Sequence, residues 1–134
     1  GAMQVLERGL DDSDREIRLF VVKACAERQY RPVMARLERA IKDRLTRDGS
    51  SSEKTAFFDA YATLGGDGAV PLLESILIPR GMLARKEDPM TRASAAMALG
   101  KLGTERALEA VRKALGDKEI GRRSAATRAM RGGA

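Results

Sequence analysis

The side chains that most often carry out catalysis or bind metals are almost absent from this chain. Its 134 residues contain no histidine and a single cysteine, Cys25. Histidine is the commonest general base, and zinc sites are built mainly from histidine and cysteine. Serines such as Ser94 and Ser124 therefore have no ordinary partner that could activate them as nucleophiles. We expect no catalytic activity, no cofactor and no metal site.

Two short motifs look like binding sites, and both have a structural explanation. The run "DDSD" at 11–14 lacks the glycine and the distal glutamate of a calcium loop. We interpret it as the start of a helix, where such side chains cap free backbone N–H groups. The run "GGDG" at 65–68 resembles a phosphate-binding loop, but no predicted strand precedes it. We interpret it as a turn between two helices.

The cysteine and most aromatic side chains lie in runs with the spacing of packed helices. Cys25 belongs to "LFVVKACA", where a small buried apolar residue is its expected role. The sequence has no tryptophan, and four of its aromatic residues occur at helical spacing. We predict that these four belong to the core: Phe20, Phe57, Phe58 and Tyr61.

The net charge is +6, from 25 basic and 19 acidic side chains. Such an excess suggests a nucleic-acid partner, but the two signs are mixed along the helical runs, as on a solvated surface. Only the segment 117–134 is mainly basic. No stretch approaches the roughly 20 apolar residues of a membrane span, and no signal peptide is visible. We expect a soluble, cytoplasmic protein that is not inserted in a membrane.

The segment 88–115 has the pattern of two helices joined by a tight turn. Asp88 is a good N-cap, Pro89 suits the first helical position, and Gly103 followed by Thr104 ends one helix and caps the next. Alanine and leucine recur three and four positions apart, which predicts one buried face per helix. The many alanines suit helices that pack closely, because small side chains let helix axes approach.

This helical pair recurs along the chain. The sequence "AYATLGGDGAVPLLESIL" at 60–77 aligns with "ALGKLGTERALEAVRKAL" at 98–115 and places Gly65 opposite Gly103. A more divergent copy at 14–46 has Arg31-Pro32 in place of the glycine turn. Repeated helical pairs that complete one another's core predict an α-solenoid. We assign three repeats and a terminal helix: 14–46, 50–78, 88–116 and 117–131.

The sequence "DPMTRASAAMALGKLG" at 88–103 closely resembles the signature D-P-x-[VT]-R-x-x-A-x-x-A-L-G-x-L-G. That signature belongs to HEAT-like repeats of the short bacterial type, first noted in phycobilisome lyases. The resemblance covers nearly all of 4–134 and is strongest in 88–116. It implies an all-α, right-handed α-solenoid of about three to four repeats. It also implies a non-catalytic scaffold for protein–protein interaction, with a chromophore-lyase-like assembly factor as a further alternative.

The resemblance has consequences for the links between repeats. In the family, the aspartate and arginine at the places of Asp88 and Arg92 commonly join adjacent repeats by hydrogen bonds. Asp14 with Arg18 keeps that pair, whereas the second repeat has Ser50 and Lys54, so that a continuous ladder is not assured.

The resemblance also bears on enzymatic branches and on domain organisation. The iron-dependent hydroxylases of the family need His-Glu pairs, and its DNA glycosylases rely on aromatic and acidic residues in a basic groove. This chain lacks the first, and it has no tryptophan to suggest the second. We expect Gly1-Ala2-Met3 to be the remnant of a cleaved tag and 4–134 to be a single domain, the C-terminal part of a larger bacterial protein.

The candidate binding residues follow from the same resemblance, which implies that second helices line the concave side and bind partners there. Those helices carry outward-facing arginines and lysines. The loop 78–87 adds methionine, leucine and arginine, and methionine and arginine are favoured at interfaces. The predicted partner contacts are Arg36, Arg39, Lys42, Met82, Leu83, Arg85, Arg112 and Lys113. In the alternative, a nucleic-acid module would use the same second-helix cations with Arg122, Arg123, Arg128 and Arg131.

Overall fold

The computed structural model describes residues 2–45, 50–78, 89–116 and 129–130, and no strand occurs within these ranges. The protein is all-α, as the repeat pattern predicts. Short 3₁₀ turns join some of the helices, and a π-helical turn follows the third. The helices are α1 (Ala2–Arg8), α2 (Arg15–Glu27), α3 (Met34–Ala40), α4 (Ser51–Gly65), α5 (Val70–Leu77), α6 (Pro89–Leu102) and α7 (Glu105–Leu115).

The chain divides into two compact units. The N-terminal unit, Gly1–Gly65, contains α1 to α4, and the C-terminal unit, Gly66–Ala134, contains α5 to α7. The single domain over 4–134 and the right-handed superhelix remain predictions. No helix in the described ranges is both long enough and apolar enough to cross a membrane.

The acidic run before α2 works as a helix start, as predicted. The Asp14 side chain accepts a hydrogen bond from the Glu16 backbone N–H at 2.8 Å. Asp12 in turn accepts one from the Asp14 N–H at 2.8 Å. Because the first N–H groups of a helix have no partner within the helix, these carboxylates satisfy donors that would otherwise need water.

The turn before α7 also matches its prediction. Gly103 has φ +67, a left-handed conformation in which a side chain is strained, and Thr104 accepts a bond from the Ala107 N–H at 3.2 Å. The alignment of Gly65 with Gly103 is one residue off, because α4 continues through Gly65. Gly66, with φ +57, takes the left-handed position instead.

The core of the N-terminal unit forms where α2 packs against α4 and against the end of α1. Gly9 permits a close approach there, because a Cβ at this position would lie 2.6 Å from the Val21 Cγ2. Cys25 is fully buried, as predicted. The largest fully buried side chains of this core are Leu10, Leu37, Ile41, Phe57 and Phe58.

The prediction that four aromatic residues belong to the core is wrong for Phe20. Phe57, Phe58 and Tyr61 are buried, but Phe20 is 66% exposed. The reason is helical geometry: Phe20 lies about 200° around α2 from Arg18, since each residue turns the helix by about 100°. Arg18 faces α4, so Phe20 points away from it.

In the C-terminal unit, α6 packs against both α5 and α7. The prediction of one buried face per helix is correct for α7 but wrong for α6, which is buried around most of its circumference. Its neighbours include the backbone at Ala129: a Cβ on Gly100 would lie 2.5 Å from that carbonyl oxygen. The buried positions of α6 are Thr91, Ala93, Ser94, Ala95, Ala96, Ala98, Leu99 and Gly100.

Part of the sequence prediction lies outside the described residues. This applies to the N-cap Asp88, to positions 79–87 of the predicted loop and to most of the terminal helix 117–131. Within that last segment, Ala129 and Met130 are helical and Ala129 is buried.

Candidate functional site

Arg36 joins α3 to the first residues of the N-terminal unit. Its Nη1 lies 2.8 Å from the Asp11 Oδ2, and its Nε lies 3.2 Å from the Glu7 Oε1. The Tyr30 hydroxyl donates to the other Glu7 oxygen at 3.4 Å. Arg36 is therefore already neutralised by two carboxylates from its own chain.

The other two predicted cations of this unit differ in their pairing. The Lys42 Nζ lies 3.6 Å from the Glu38 Oε1, one helical turn away. Arg39 is exposed and, among the described residues, makes no ion pair. It borders a small cavity of about 210 Å³ that is also lined by Arg36, Asp11, Ala40 and Asp43. Arg39 is therefore the predicted cation here that is best placed to bind a carboxylate of a partner.

In the C-terminal unit, both predicted cations are paired with glutamates. The Arg112 Nη1 lies 3.3 Å from the Glu109 Oε2 and 3.8 Å from the Glu105 Oε1, on its own helix. The Lys113 Nζ lies 3.9 Å from the Glu74 Oε1, so this pair connects α7 with α5. Because all these side chains are partly exposed, each pair contributes little to stability, but each one reduces the local positive charge.

A groove of about 710 Å³ runs between α5 and α7. Val70 and Pro71 form its apolar part, and Val70 is itself buried. Three glutamates and two cations surround them, so the groove has mixed charge rather than a basic lining. The charged lining residues are Glu74, Glu105, Arg106, Glu109 and Lys113.

A family model described as HEAT repeats matches residues 62–131, more than half of the chain. The chain belongs to the HEAT-repeat family. No curated protein matches its sequence. HEAT repeats commonly serve as scaffolds for protein interaction and are typically not catalytic.

In this HEAT-repeat protein, Arg18 links the first two repeats, through a partner that the sequence analysis did not name. Arg18 does not use Asp14 as its partner; it reaches Glu53 on α4, with Nε–Oε2 at 3.0 Å and Nη2–Oε1 at 2.7 Å. Its Nη1 also donates to the Asp12 carbonyl at 2.7 Å. The hydrogen bond to Glu53 raises the pKa of Arg18, although burial partly opposes the rise.

The sequence contains a motif that indicates a structural role for Glu53 at the start of α4. Ser50 and Glu53 have the S-x-x-E spacing of a capping box, in which the serine caps the helix and the glutamate bonds back to the serine N–H. Ser50 does accept a bond from the Glu53 N–H at 3.3 Å. The Glu53 carboxylate binds Arg18, which the local motif does not indicate.

Two further contacts fix turns of the HEAT repeats. Arg31, which replaces the glycine turn in the first repeat, donates from its Nε to the Leu64 carbonyl at 3.1 Å, at the end of α4. In the C-terminal unit, the Thr104 hydroxyl donates to the Asp67 carboxylate, which joins the starts of two second helices. The first contact supplies a donor to a backbone carbonyl at the end of α4, and the second supplies one to a carboxylate before α5.

The N-terminal unit also has a groove that no sequence motif indicated. It lies between α2 and α4 and has a volume of about 510 Å³. Its lining is mostly small side chains, including Ala56 and Ala60, with Lys23, Glu27 and Asp59 beside them.

Two buried titratable groups of the N-terminal unit have raised pKa values. Burial raises the pKa of the Cys25 thiol, and the Glu7 carboxylate raises it further. Loss of solvation likewise raises the pKa of Tyr61, with Glu38 adding to the effect. A buried thiol with a raised pKa is a poor nucleophile at neutral pH. Within the described residues, no cluster of three or more histidine, cysteine, aspartate or glutamate residues could hold a metal ion.

The remaining predicted contacts lie outside the described residues. They are Met82, Leu83 and Arg85 in the loop, and Arg122, Arg123, Arg128 and Arg131 in the terminal segment.

Proposed function

We propose that this protein is a non-catalytic scaffold that binds a protein segment in the groove between its second helices α5 and α7. The observation that carries the proposal is the groove of about 710 Å³ between α5 and α7. Pockets of roughly 300–1,000 Å³ are typical of sites that enclose ligand groups. The apolar contact from Val70 and Pro71, surrounded by charged side chains, suits an anchor residue of a peptide.

The charge pattern favours a protein over a nucleic acid as the partner. A phosphate backbone is bound by arginines and lysines that neutralise several phosphates at once. Here Glu74, Glu105 and Glu109 lie next to Lys113 and Arg112, so a phosphate backbone at this groove would meet three carboxylates. A protein segment carries both signs and can exchange ion pairs with such a surface.

We propose two further partner contacts, each separate from this groove. On the N-terminal unit, Arg39 offers positive charge to an acidic side chain, whereas Arg36 and Lys42 are already paired with carboxylates of this chain. Outside the described residues, the proposal keeps the sequence prediction that Met82, Leu83 and Arg85 contact the partner. The chromophore-lyase-like alternative has no support from the described residues beyond the family resemblance.

Site-specific photocrosslinking tests the proposal. A photoreactive amino acid at Glu109 lies in the groove, whereas one at Ser75 is exposed on α5 outside the groove lining and serves as the control. In lysate of the source organism, Glu109 should give a protein adduct that Ser75 does not give. The adduct should persist after nuclease treatment and at moderate salt.

Other crosslinking results would favour a nucleic-acid partner or contradict binding in the groove. An adduct that contains nucleic acid, or one lost with nuclease, would support the alternative partner class. Equal labelling at Glu109 and Ser75, or none at either position, would contradict a binding role for the groove. The charge reversal Glu109→Lys should weaken a genuine protein adduct captured from a neighbouring position such as Arg106.

A further inference from the structure

The N-terminal unit exposes an apolar surface on α1 and α2. Phe20 is 66% exposed and Ile17 is 43% exposed, and both lie on the same side of α2 because they are three residues apart. Val5, which is 70% exposed, lies one turn before Gly9 on α1. A Cβ on Gly9 would lie 3.5 Å from the Ile17 Cγ2, so the 3₁₀ turn that follows α1 approaches α2 at this surface.

The repeat register shows that this is a packing face. Aligning Arg18 with Lys54 places Ile17 opposite Glu53, and Glu53 is 3% exposed because α2 covers it. The same alignment with the third repeat places Thr91 and Ser94 at the positions of Ile17 and Phe20, and both of those are buried. Ala56, which takes the place of Phe20 in the second repeat, is half-buried and lines the groove between α2 and α4. The face of α2 that bears Ile17 and Phe20 therefore corresponds to positions that later first helices bury wholly or in part, and here it carries larger apolar side chains.

An acidic residue precedes Phe20 on α2 and a basic residue follows it, and this order favours an antiparallel over a parallel pair of α2 helices. Glu16 lies four residues before Phe20 and Lys23 three residues after it, both exposed and on the same side of α2. In an antiparallel pair of α2 helices centred on Phe20, Glu16 of one copy lies within one residue, about 1.5 Å along the axis, of the level of Lys23 in the other. A parallel pair would instead place like charges opposite each other.

We propose that this face binds a second copy of the chain, in an antiparallel α2–α2 contact around a two-fold axis near Phe20. A two-fold contact uses the same surface on both copies, so the Glu16–Lys23 ion pair forms twice. Phe20 and Ile17 form its apolar centre, and Val5 extends it onto α1. Because three apolar side chains are few for a standard interface of about 1,600 Å² in total, the dimer is concentration-dependent and weak.

Sedimentation velocity over a wide concentration range tests this contact. The wild-type chain should shift from monomer to dimer as its concentration rises, and Phe20→Ser should remain monomeric. The control is Met97→Ser, which removes another exposed apolar side chain, 38% exposed on α6, and should associate like the wild type. Helical circular dichroism should be unchanged in both variants, because neither side chain belongs to the core.

Charge exchange tests the antiparallel arrangement independently of Phe20. Glu16→Lys and Lys23→Glu should each weaken the dimer, since each places two pairs of like charges in contact. The double variant should restore association to near the wild-type level. A wild-type chain that is monomeric at every concentration overturns the proposal, as does a dimer that survives Phe20→Ser. Failure of the double variant to recover overturns the antiparallel arrangement.

Discussion

Arg18 and Glu53 form a two-pronged ion pair between the first helices of consecutive repeats, with N–O distances of 3.0 and 2.7 Å. The two side chains are 15% and 4% exposed. Arg18 also donates to the Asp12 carbonyl, so one guanidinium joins the acidic turn, α2 and α4. Parallel N–H···O bonds of this kind fix geometry as well as charge.

Replacing Glu53 by alanine should lower the free energy of unfolding by about 3–5 kcal/mol, because it leaves a largely buried arginine without its counter-charge. Urea unfolding measures the change. The matched control is Arg15→Ala, since the Arg15–Glu16 pair spans 3.8 Å between exposed side chains. That control should change stability by less than about 0.5 kcal/mol. A loss at Glu53 no larger than in the control would show that the pair is not structurally important.

The double variant Arg18→Leu with Glu53→Leu should be more stable than either single variant. Removing both charges also removes the need to desolvate them, and apolar side chains can fill the space. Double-mutant comparison of the urea midpoints gives the coupling. Additive losses would contradict a direct interaction between the two residues.

Gly100→Ala should destabilise the C-terminal unit, although alanine is the better helix former by about 1 kcal/mol. The new Cβ would lie 2.5 Å from the Ala129 carbonyl oxygen, which is backbone and cannot rotate away. Hydrogen exchange should become faster at Ala129 and Met130. Gly68→Ala is the control, because nothing lies within 4 Å of its Cβ position, and it should be neutral or slightly stabilising. Equal stability of the two variants would refute the close contact.

Gly103→Ala should cost about 1–2 kcal/mol, because Gly103 has φ +67 and a Cβ is strained in that conformation. Gly116→Ala tests the same substitution after α7, where the φ of −78 is ordinary and the nearest contact is 3.5 Å. It should have little effect. Thermal unfolding compares the two, and a smaller loss at Gly103 than at Gly116 would contradict the observed turn.

The stability difference between the wild type and Cys25→Ala should shrink at alkaline pH. Burial raises the pKa of the Cys25 thiol above its ordinary value of 9.0, so the folded protein holds this proton more tightly than the unfolded chain does. That contribution is fully present below the unfolded pKa and is lost as pH rises through the folded pKa. Urea unfolding from about pH 7 to about pH 10.5 measures it. A gap that stays constant over this range would contradict the raised pKa.

Local signals predicted much of the fold. The caps at Asp14 and Thr104 and the glycine turn at Gly103 depend on residues within one helical turn, so their sequence patterns are sufficient. The exposure of Phe20 was not predictable in this way, because helical spacing shows that a residue lies in a helix but not whether a neighbour covers it. The near-complete burial of α6 was missed for the same reason.

The candidate site was predicted less completely. The positions of Arg36 and Lys113 on second helices followed from the repeat pattern. Their partners did not, because Glu7 and Glu74 lie on other helices and become neighbours only when the chain folds. The cations on the second helices therefore suggested a more basic surface than the described helices have once Arg36 and Lys113 are paired with these glutamates.

The alanine-rich helix α6 has a consequence for the entropy of folding. A buried long side chain loses rotamer freedom, which costs up to roughly 2 kcal/mol, whereas alanine and glycine have no such freedom to lose. Most buried positions of α6 are alanine, glycine or short polar residues, and Leu99 is its large buried apolar side chain. This helix can therefore be enclosed on several sides with little loss of side-chain conformational entropy.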